Sequence, residues 1–455
     1  MSQSVQIQGG KVQAVIGVEE GLYSLFAEYD RQLLQNYHVF FVDGGYGTSV
    51  LQMGNMYQTL VEHVDICCKT RKTIMDRYGE NLWNLKKEVG FIDAYTLASD
   101  QKGQAFKNQA IEYIKSSVGM QGIQLLLKGA TGKEKNSVIQ SEQKTIEKVD
   151  TAQSAYVQAE NENIEPTDAQ NKVKNPLEII QEIQKKGILT IVIPDSMKLS
   201  SAVLEKSERY SERECEQGMG LVYDQVGNDS YMDKVLFNEY MMQHLSCYGE
   251  KESQEGLLYQ LEYAICGKNT DIENLKGVAN RILAIREAVN MTFLMTNAEY
   301  QSQIHEMALS MAAVVGAPAL EGVIALALEA AWAFGESLLD AKILFEGGEL
   351  PLIKTQNNWK LPLNKIVELP ELLQSKSINK GEGIGYREYL RMLLLAGDCG
   401  KQVLRTMDII EYSMRRIEGK SCFRWDLCVS YLETTFSFSC NNINFSVTRN
   451  YGYDM

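Results

Sequence analysis

The chain has 455 residues, of which 45% are hydrophobic and 23% charged, and its net charge is −14. That composition fits a folded protein of two or three ordinary domains, or one large domain with insertions. The acidic balance, with no basic cluster to offset it, argues against binding to nucleic acid or anionic lipid and names no partner.

Only 7 prolines occur, so long helices are permitted, because an interior proline costs a helix about 3 kcal/mol. The first predicted element is one long helix over 3–36. Val12, Val15, Leu22, Leu25, Phe26, Tyr29 and Leu33 recur there at three- and four-residue steps. Its start carries two adjacent glycines, Gly9 and Gly10, which predicts fraying up to about residue 12 and burial of 22–36. Val39-Phe40-Phe41-Val42 reads as a strand ended by Gly44-Gly45-Tyr46-Gly47. Helices follow at about 50–87 and 101–128.

Residues 129–175 are rich in Lys, Glu, Gln, Asn and Thr and nearly free of large apolar side chains. Such a segment cannot bury enough surface to offset its ordering entropy. It is expected to be a polar flexible insertion, dividing 1–128 (N-terminal helix, strand and helices) from 176–455. Beyond it, Pro176–Lys186 predicts a short helix with proline in its first turn. The β-branched run 188–193, closed by Pro194, predicts a buried strand. Residues 195–230 read as irregular, and a helical core occupies about 231–346. Thr270 and Glu273 have capping-box spacing ahead of Leu275, Val278, Ile282, Ile285 and Val289. Met307–Leu320 is free of charge for 14 residues, short of the roughly 20 that span a bilayer, so two buried helices are expected around Pro318. A further helix covers 386–418. The end of the chain switches to a period of two, with Asn441-Asn442 as a tight turn, predicting a β-hairpin over 422–450. The fold class expected is therefore α+β and mostly helical: a long N-terminal helix, a helical core, and a small antiparallel sheet that includes the C-terminal hairpin.

Motifs for chemistry are weak. Lys128–Lys133 lacks the first glycine of a phosphate loop and has Glu134 where a hydroxyl is needed. Asp43-Gly44-Gly45-Tyr46-Gly47-Thr48 follows an apolar run and could hold a phosphate, but reads better as a strand-ending turn. Ser377-Ile378-Asn379-Lys380 matches S-x-x-K without its companion motifs. None of His38, His63, His244 and His305 has a second His or Cys at metal-ligand spacing on its own helix. The nine cysteines include no C-x-x-C; Cys67-Cys68 lies beside Lys69 and Arg71, a setting that can lower a thiol pKa, but with no partner His or resolving Cys two residues away they read as structural thiols. No catalytic, cofactor-binding or metal-ligating residue is assigned, and no cofactor is expected.

Five segments carry a resemblance: Leu22–Asp43, Lys174–Glu178, Asn280–Asn290, Ala331–Ser337 and Tyr386–Leu390. Together they resemble a clostridial family of unknown function encoded beside tight-adherence (Tad) pili and TadE-like minor pilins. The resemblance covers nearly the whole chain except 129–175. It implies a non-enzymatic structural or assembly component of a Tad-like pilus or of the cell envelope, on the extracytoplasmic face, with protein partners. It also implies contact with a membrane only through an N-terminal anchor that this chain does not contain; the chain as given is expected to be soluble. Two other readings stay open: a cell-surface enzyme with a composite carboxylate site, and a cytoplasmic adaptor, which the unpaired cysteines would suit.

Overall fold

The structure, a computed structural model, describes residues 3–68, 83–130, 176–193, 198–220, 230–250, 256–314, 316–374 and 382–453. In chain order the helices are α1 (Gln3–Phe26), α2 (Arg31–Tyr37), α3 (Met53–Cys68), α4 (Gln104–Ala130), α5 (Pro176–Lys186), α6 (Ile188–Val192), α7 (Tyr231–His244), α8 (Gln260–Cys266), α9 (Asp271–Thr296), α10 (Ala298–Val314), α11 (Glu321–Phe345), α12 (Leu369–Gln374), α13 (Tyr386–Ala396) and α14 (Cys399–Met414). The strands are β1 (Val42–Asp43), β2 (Leu85–Leu97), β3 (Glu349–Leu350), β4 (Ile384–Gly385), β5 (Cys428–Cys440) and β6 (Ile443–Gly452). The class is α+β and mostly helical, as expected. Most of 129–175 lies outside the described residues, as does Ser377–Lys380.

The chain forms two compact units. The first comprises Met1–Gln124, Leu204–Leu245 and Asp398–Met455; the second comprises Leu125–Val203 and Ser246–Gly397. In the first unit β5 is the central strand. It pairs antiparallel with β2 from Leu85↔Cys440 to Leu97↔Val429, with β6 from Tyr431↔Gly452 to Cys440↔Ile443, and with β1 at Val429 and Cys428. Asn441 and Asn442 both take left-handed φ, 49° and 63°, which a two-residue hairpin loop of the twisted kind requires. Val18, Leu22, Leu25, Leu60, Val64, Phe436 and Phe438 build the core between α1, α3 and the sheet.

α1 lies on α3 through its smallest residues. Gly10, Ala14, Gly17 and Gly21 are buried at steps of four, three and four. A Cβ at Gly17 would run into Cys68 Sγ, and one at Gly21 would come within 2.7 Å of Val64 Cγ2. The glycines at 9 and 10 serve the same end. They face Trp83 and Cys440, and the helix starts at Gln3 with Gln3, Ser4 and Val5 exposed. Close approach, not flexibility, explains the pair.

Five expectations are corrected. The helix over 3–36 is two helices, because Asp30 stops it: its carboxylate accepts from the Gln32 and Leu33 amides at 2.9 and 3.2 Å and caps α2. The helix expected to reach residue 87 ends its described part at Cys68, and Leu85 opens the 13-residue strand β2, held by its ladder to β5. The strand expected at 188–193 is the helix α6: Gly187, with φ 82°, breaks the chain from α5, and Ile188 and Val192, four apart, share its buried side. Gly397 and Asp398 split 386–418 into α13 and α14, the Asp398 carboxylate accepting from the Lys401 amide at 3.2 Å. Within 422–450 a short 3-10 turn at Trp425–Leu427 precedes the hairpin, whose strands begin at Cys428 and end at Gly452.

In the second unit α11 is the central helix. The stretch Pro318–Phe345 is long and apolar enough to cross a bilayer, yet 83% of its most apolar window is buried in the protein. Leu328, Trp332 and Leu338 pack with Ile180, Leu294, Ile304, Leu361 and Leu369 from the surrounding elements. Thr270 and Glu273 form the expected capping box at the start of α9.

Candidate functional site

Charged side chains concentrate first in two buried clusters. In the second unit, α11 points Glu336 and Asp340, one turn apart, into a pocket of three cations. Arg286 of α9 donates from Nε and Nη2 to Asp340 Oδ2 at 3.1 and 2.8 Å, and from Nη1 to the Pro351 carbonyl and the Tyr389 hydroxyl. Lys354 Nζ lies 2.5 Å from Glu336 and 2.9 Å from Asp340. The amides of Lys360 and Leu361 donate to Glu336. Arg286, Asp340 and Glu336 are completely buried. Burial alone would raise the Asp340 pKa, but Arg286, Lys354 and Lys360 override it and hold the carboxyl below the usual range. At Glu336 burial wins and the pKa is raised, with the Asp340 charge adding to it and Lys354 opposing. Each carboxylate oxygen is committed to a structural donor, so this cluster ties the 351–361 segment to α9 and α11.

The first unit holds a similar cluster. Glu411 and Asp426 are fully buried, and Arg213 Nη2 donates to both, at 2.8 and 2.7 Å. Arg424 adds a bond of 2.6 Å to Asp426 and Arg415 one of 2.6 Å to Glu411. Ser211 donates from its amide and its hydroxyl to Asp408, both at 2.8 Å. The loop that carries Ser211 and Arg213 is fixed to α14 by these bonds. Apart from these clusters stands Glu262 of α8, completely buried in the second unit. One of its oxygens accepts from the Tyr248 amide at 2.9 Å and the Tyr386 hydroxyl at 2.7 Å, and the other has no hydrogen-bond partner. Burial pushes its pKa up to about 7.

The motifs weighed in the sequence fall into place individually. Asp43 turns its carboxylate onto its own loop, accepting from the Gly45 and Gly47 amides at 2.9 and 3.1 Å. Those amides would have to face a phosphate in a phosphate loop, so the segment is a self-capped turn. Gly129 and Ala130 close α4, and 131–134 lie outside the described residues. Burial raises the pKa of both Cys67 and Cys68, the latter to about 12, in keeping with the structural thiols expected there. Among the described residues no three His, Cys, Asp or Glu side chains gather as metal ligands.

Sequence spacing gave no sign of one pair. His38 Nδ1 and His244 Nε2 lie 3.0 Å apart although 206 residues separate them. His244 Nδ1 sits 2.9 Å from the Tyr240 carbonyl and therefore carries a hydrogen, leaving Nε2 as acceptor. With both rings neutral, His38 donates from Nδ1 and keeps its own Nε2 lone pair free. Burial lowers the His244 pKa, and the neighbouring His38 lowers it further. His38 itself is held in the left-handed region, φ 56° and ψ 36°, at the end of α2. Its ring stacks on Tyr113 at 4.3 Å.

His38 borders an open cleft in the first unit. One cavity of about 680 Å³ is lined by His38, Phe40, Gln104, Lys107, Asn108, Tyr113, Asp233 and Tyr453, among others. A second, of about 760 Å³, shares Phe40 and Tyr453 with it and adds Tyr23, Phe26, Tyr29 and Tyr451. The rings form a continuous wall: Tyr29 meets Phe40 edge-on at 5.3 Å, Phe40 stacks on Tyr453 at 5.6 Å, and Phe26 meets Tyr453 and Tyr451 at 5.1 Å. The Gln109 side chain pins the wall, accepting from the Phe40 amide at 2.7 Å and donating to its carbonyl at 3.0 Å. Such a surface offers flat apolar area with hydrogen-bonding groups at its margin, the makeup of a recognition site.

Fold and cleft together define a helix-rich α+β protein with an aromatic-lined cleft and ion-paired cores. The chain belongs to a family of unknown function (DUF5702), whose model matches residues 166–440. The matched stretch contains both buried ionic clusters, whereas the aromatic wall is drawn from residues before and after it. No curated protein matches the chain, and no solved structure does.

Proposed function

We propose that this chain is a non-enzymatic assembly component of the cell envelope, associated with a Tad-like pilus, that holds a protein partner in the aromatic cleft of its first unit. The observation that carries the reading is the contrast in how side chains are used. The buried carboxylates of the two clusters are spent on internal donors, while Phe40, Tyr29, Tyr451 and Tyr453 leave a cleft open to a ligand. Aromatic anchors in desolvated pockets dominate the energetics of protein interfaces, and paired buried charges do not supply the free acid or base that catalysis requires. The extracytoplasmic location and the pilus partner rest on the resemblance of the five segments.

The test is a photoreactive amino acid placed at position 40 in the native host. A cross-link to an envelope or pilus protein, lost when Tyr453→Ala is added, is the expected result. Cross-linking only to cytoplasmic proteins, or a hydrolytic activity of the purified chain abolished by His38→Ala, would overturn the reading.

A further inference from the structure

The second unit ends in a helical hairpin with an uncharged tip. α10 runs out and α11 returns, and His305 and Glu321, one on each helix, approach to 3.7 Å at the base of the tip. Between Met307 and Leu320 the sequence contains no charged side chain and only Ser310 is polar. From residue 306 to the end of α10 are nine helical residues, about 13 Å at 1.5 Å per residue. One side of this segment packs inward through Ala308 and Ala312. The other is bare: Leu309 is 54% exposed and Val314 86%, with Ala313, Pro318 and Ala319 also exposed.

The backbone of the turn is satisfied within itself. Gly316, at φ 72°, closes α10, its amide donating to the Ala313 carbonyl and the Ala317 amide to the Ala312 carbonyl. This is the paired 6→1 and 5→2 arrangement that consumes the last carbonyls of a helix. The Leu320 amide donates in turn to the Ala317 carbonyl. A tip whose backbone bonds are internal can leave water without stranding those polar groups.

We infer that this hairpin tip inserts into the interfacial layer of a phospholipid bilayer. Three features favour lipid over a protein surface. The tip has no charge, it leaves these turn amides no need of a partner, and it lacks the Trp, Tyr and Arg side chains that anchor protein interfaces. A segment about 13 Å long is sufficient for the roughly 5–10 Å to which apolar faces enter the boundary between headgroups and acyl chains. The flanking charges, Glu306 and Glu321, are acidic, so attachment relies on apolar burial and suits a neutral headgroup surface.

The experiment is flotation of the full chain with phosphatidylcholine vesicles, at low and at high salt. The chain is expected to float with the vesicles equally at both salt levels. Leu309→Asp combined with Val314→Asp should reduce the partition coefficient by about a hundredfold, since two apolar side chains lose their burial. Val89→Asp, at a residue of β2 that is 58% exposed, should leave it unchanged. All three proteins should give the same thermal unfolding midpoint, because the altered side chains are solvent-exposed. Failure of the wild-type chain to float would overturn the inference, as would flotation unaffected by the tip substitutions. Self-association of the chain abolished by those substitutions without any flotation would assign the tip to a protein contact instead.

Discussion

The ionic core of the second unit and the aromatic cleft of the first use strong interactions in opposite ways. Around Asp340 every charge has a committed partner: Arg286, Lys354 and Lys360 converge on one carboxylate, and Glu336 is capped by two backbone amides. Around Phe40 the rings touch one another, and the faces left over border open cavities. Buried ion pairs of the first kind seldom add net stability over an apolar core, but they are expensive to break, so they fix geometry. Phe26, Tyr451 and Tyr453 of the aromatic wall also pack on the core of the first unit, whereas the exposed faces of Tyr23 and Phe40 are, on the proposed reading, what binds. On the proposed reading, recognition belongs to the first unit and rigidity to the clusters.

The harshest way to break this contrast is Asp340→Ala. Removing the shared carboxylate leaves Arg286 and Lys354 buried with too little negative charge, and should cost about 3–5 kcal/mol in denaturant unfolding. A loss below about 1 kcal/mol would mean that the cluster is solvated and open to other chemistry.

A second experiment separates a buried group that is paired from one that is not. The Glu262 carboxyl has an ordinary value of 4.5 and is raised by burial to about 7 in the folded chain. Below pH 4.5 it is protonated in both states and costs nothing. As the pH rises from 4.5 to about 7 the unfolded chain gives up its proton first, so stability falls, by about 3 kcal/mol in total. Glu262→Gln should remove this slope, and the difference between the two unfolding curves should grow with pH across that window and level off above it. Curves that stay parallel from pH 4.5 to 7.5 would show that Glu262 is ionised throughout.

The third is smaller and concerns the wall of the cleft. Tyr23 and Phe26 belong to α1, which lies on α3 through Gly17 and Gly21. Gly17→Ala should displace that helix at Cys68 and cost about 1–3 kcal/mol, the usual range for an overpacked contact. No change in stability would mean that α1 can slide, and that the wall is not rigid.

How much of this was legible from the chain varies by element. The hairpin was readable because Asn441-Asn442 sits between two runs of period two, and the capping box at Thr270 because its signal is local. β2 was not: Lys86, Lys87 and Glu88 give it a polar start, and Val89 and Phe91 stay exposed, so no alternation marks the face that pairs with β5. The run 188–193 misled because six residues, each apolar or β-branched, satisfy a buried strand and a short buried helix equally. Gly9 and Gly10 were read as weak points, whereas the packing of Trp83 and Cys440 requires them. The links from Arg286 to Asp340, from Arg213 to Asp426 and from His38 to His244 span 54, 213 and 206 residues, beyond any spacing rule. The cleft has no motif at all, since its rings come from four separate stretches of chain.

The central claim is that recognition belongs to the cleft and that the ionic cores only hold shape. Hydrogen exchange on the full chain, alone and with the protein cross-linked through position 40 added back in purified form, tests this most directly. The account predicts new protection at 23–29, 38–41 and 450–453, unchanged exchange at 336–361, and loss of the footprint in Phe40→Ala, whose own stability should change by less than about 1 kcal/mol. Protection confined to 336–361, or a footprint that survives Phe40→Ala intact, would contradict it.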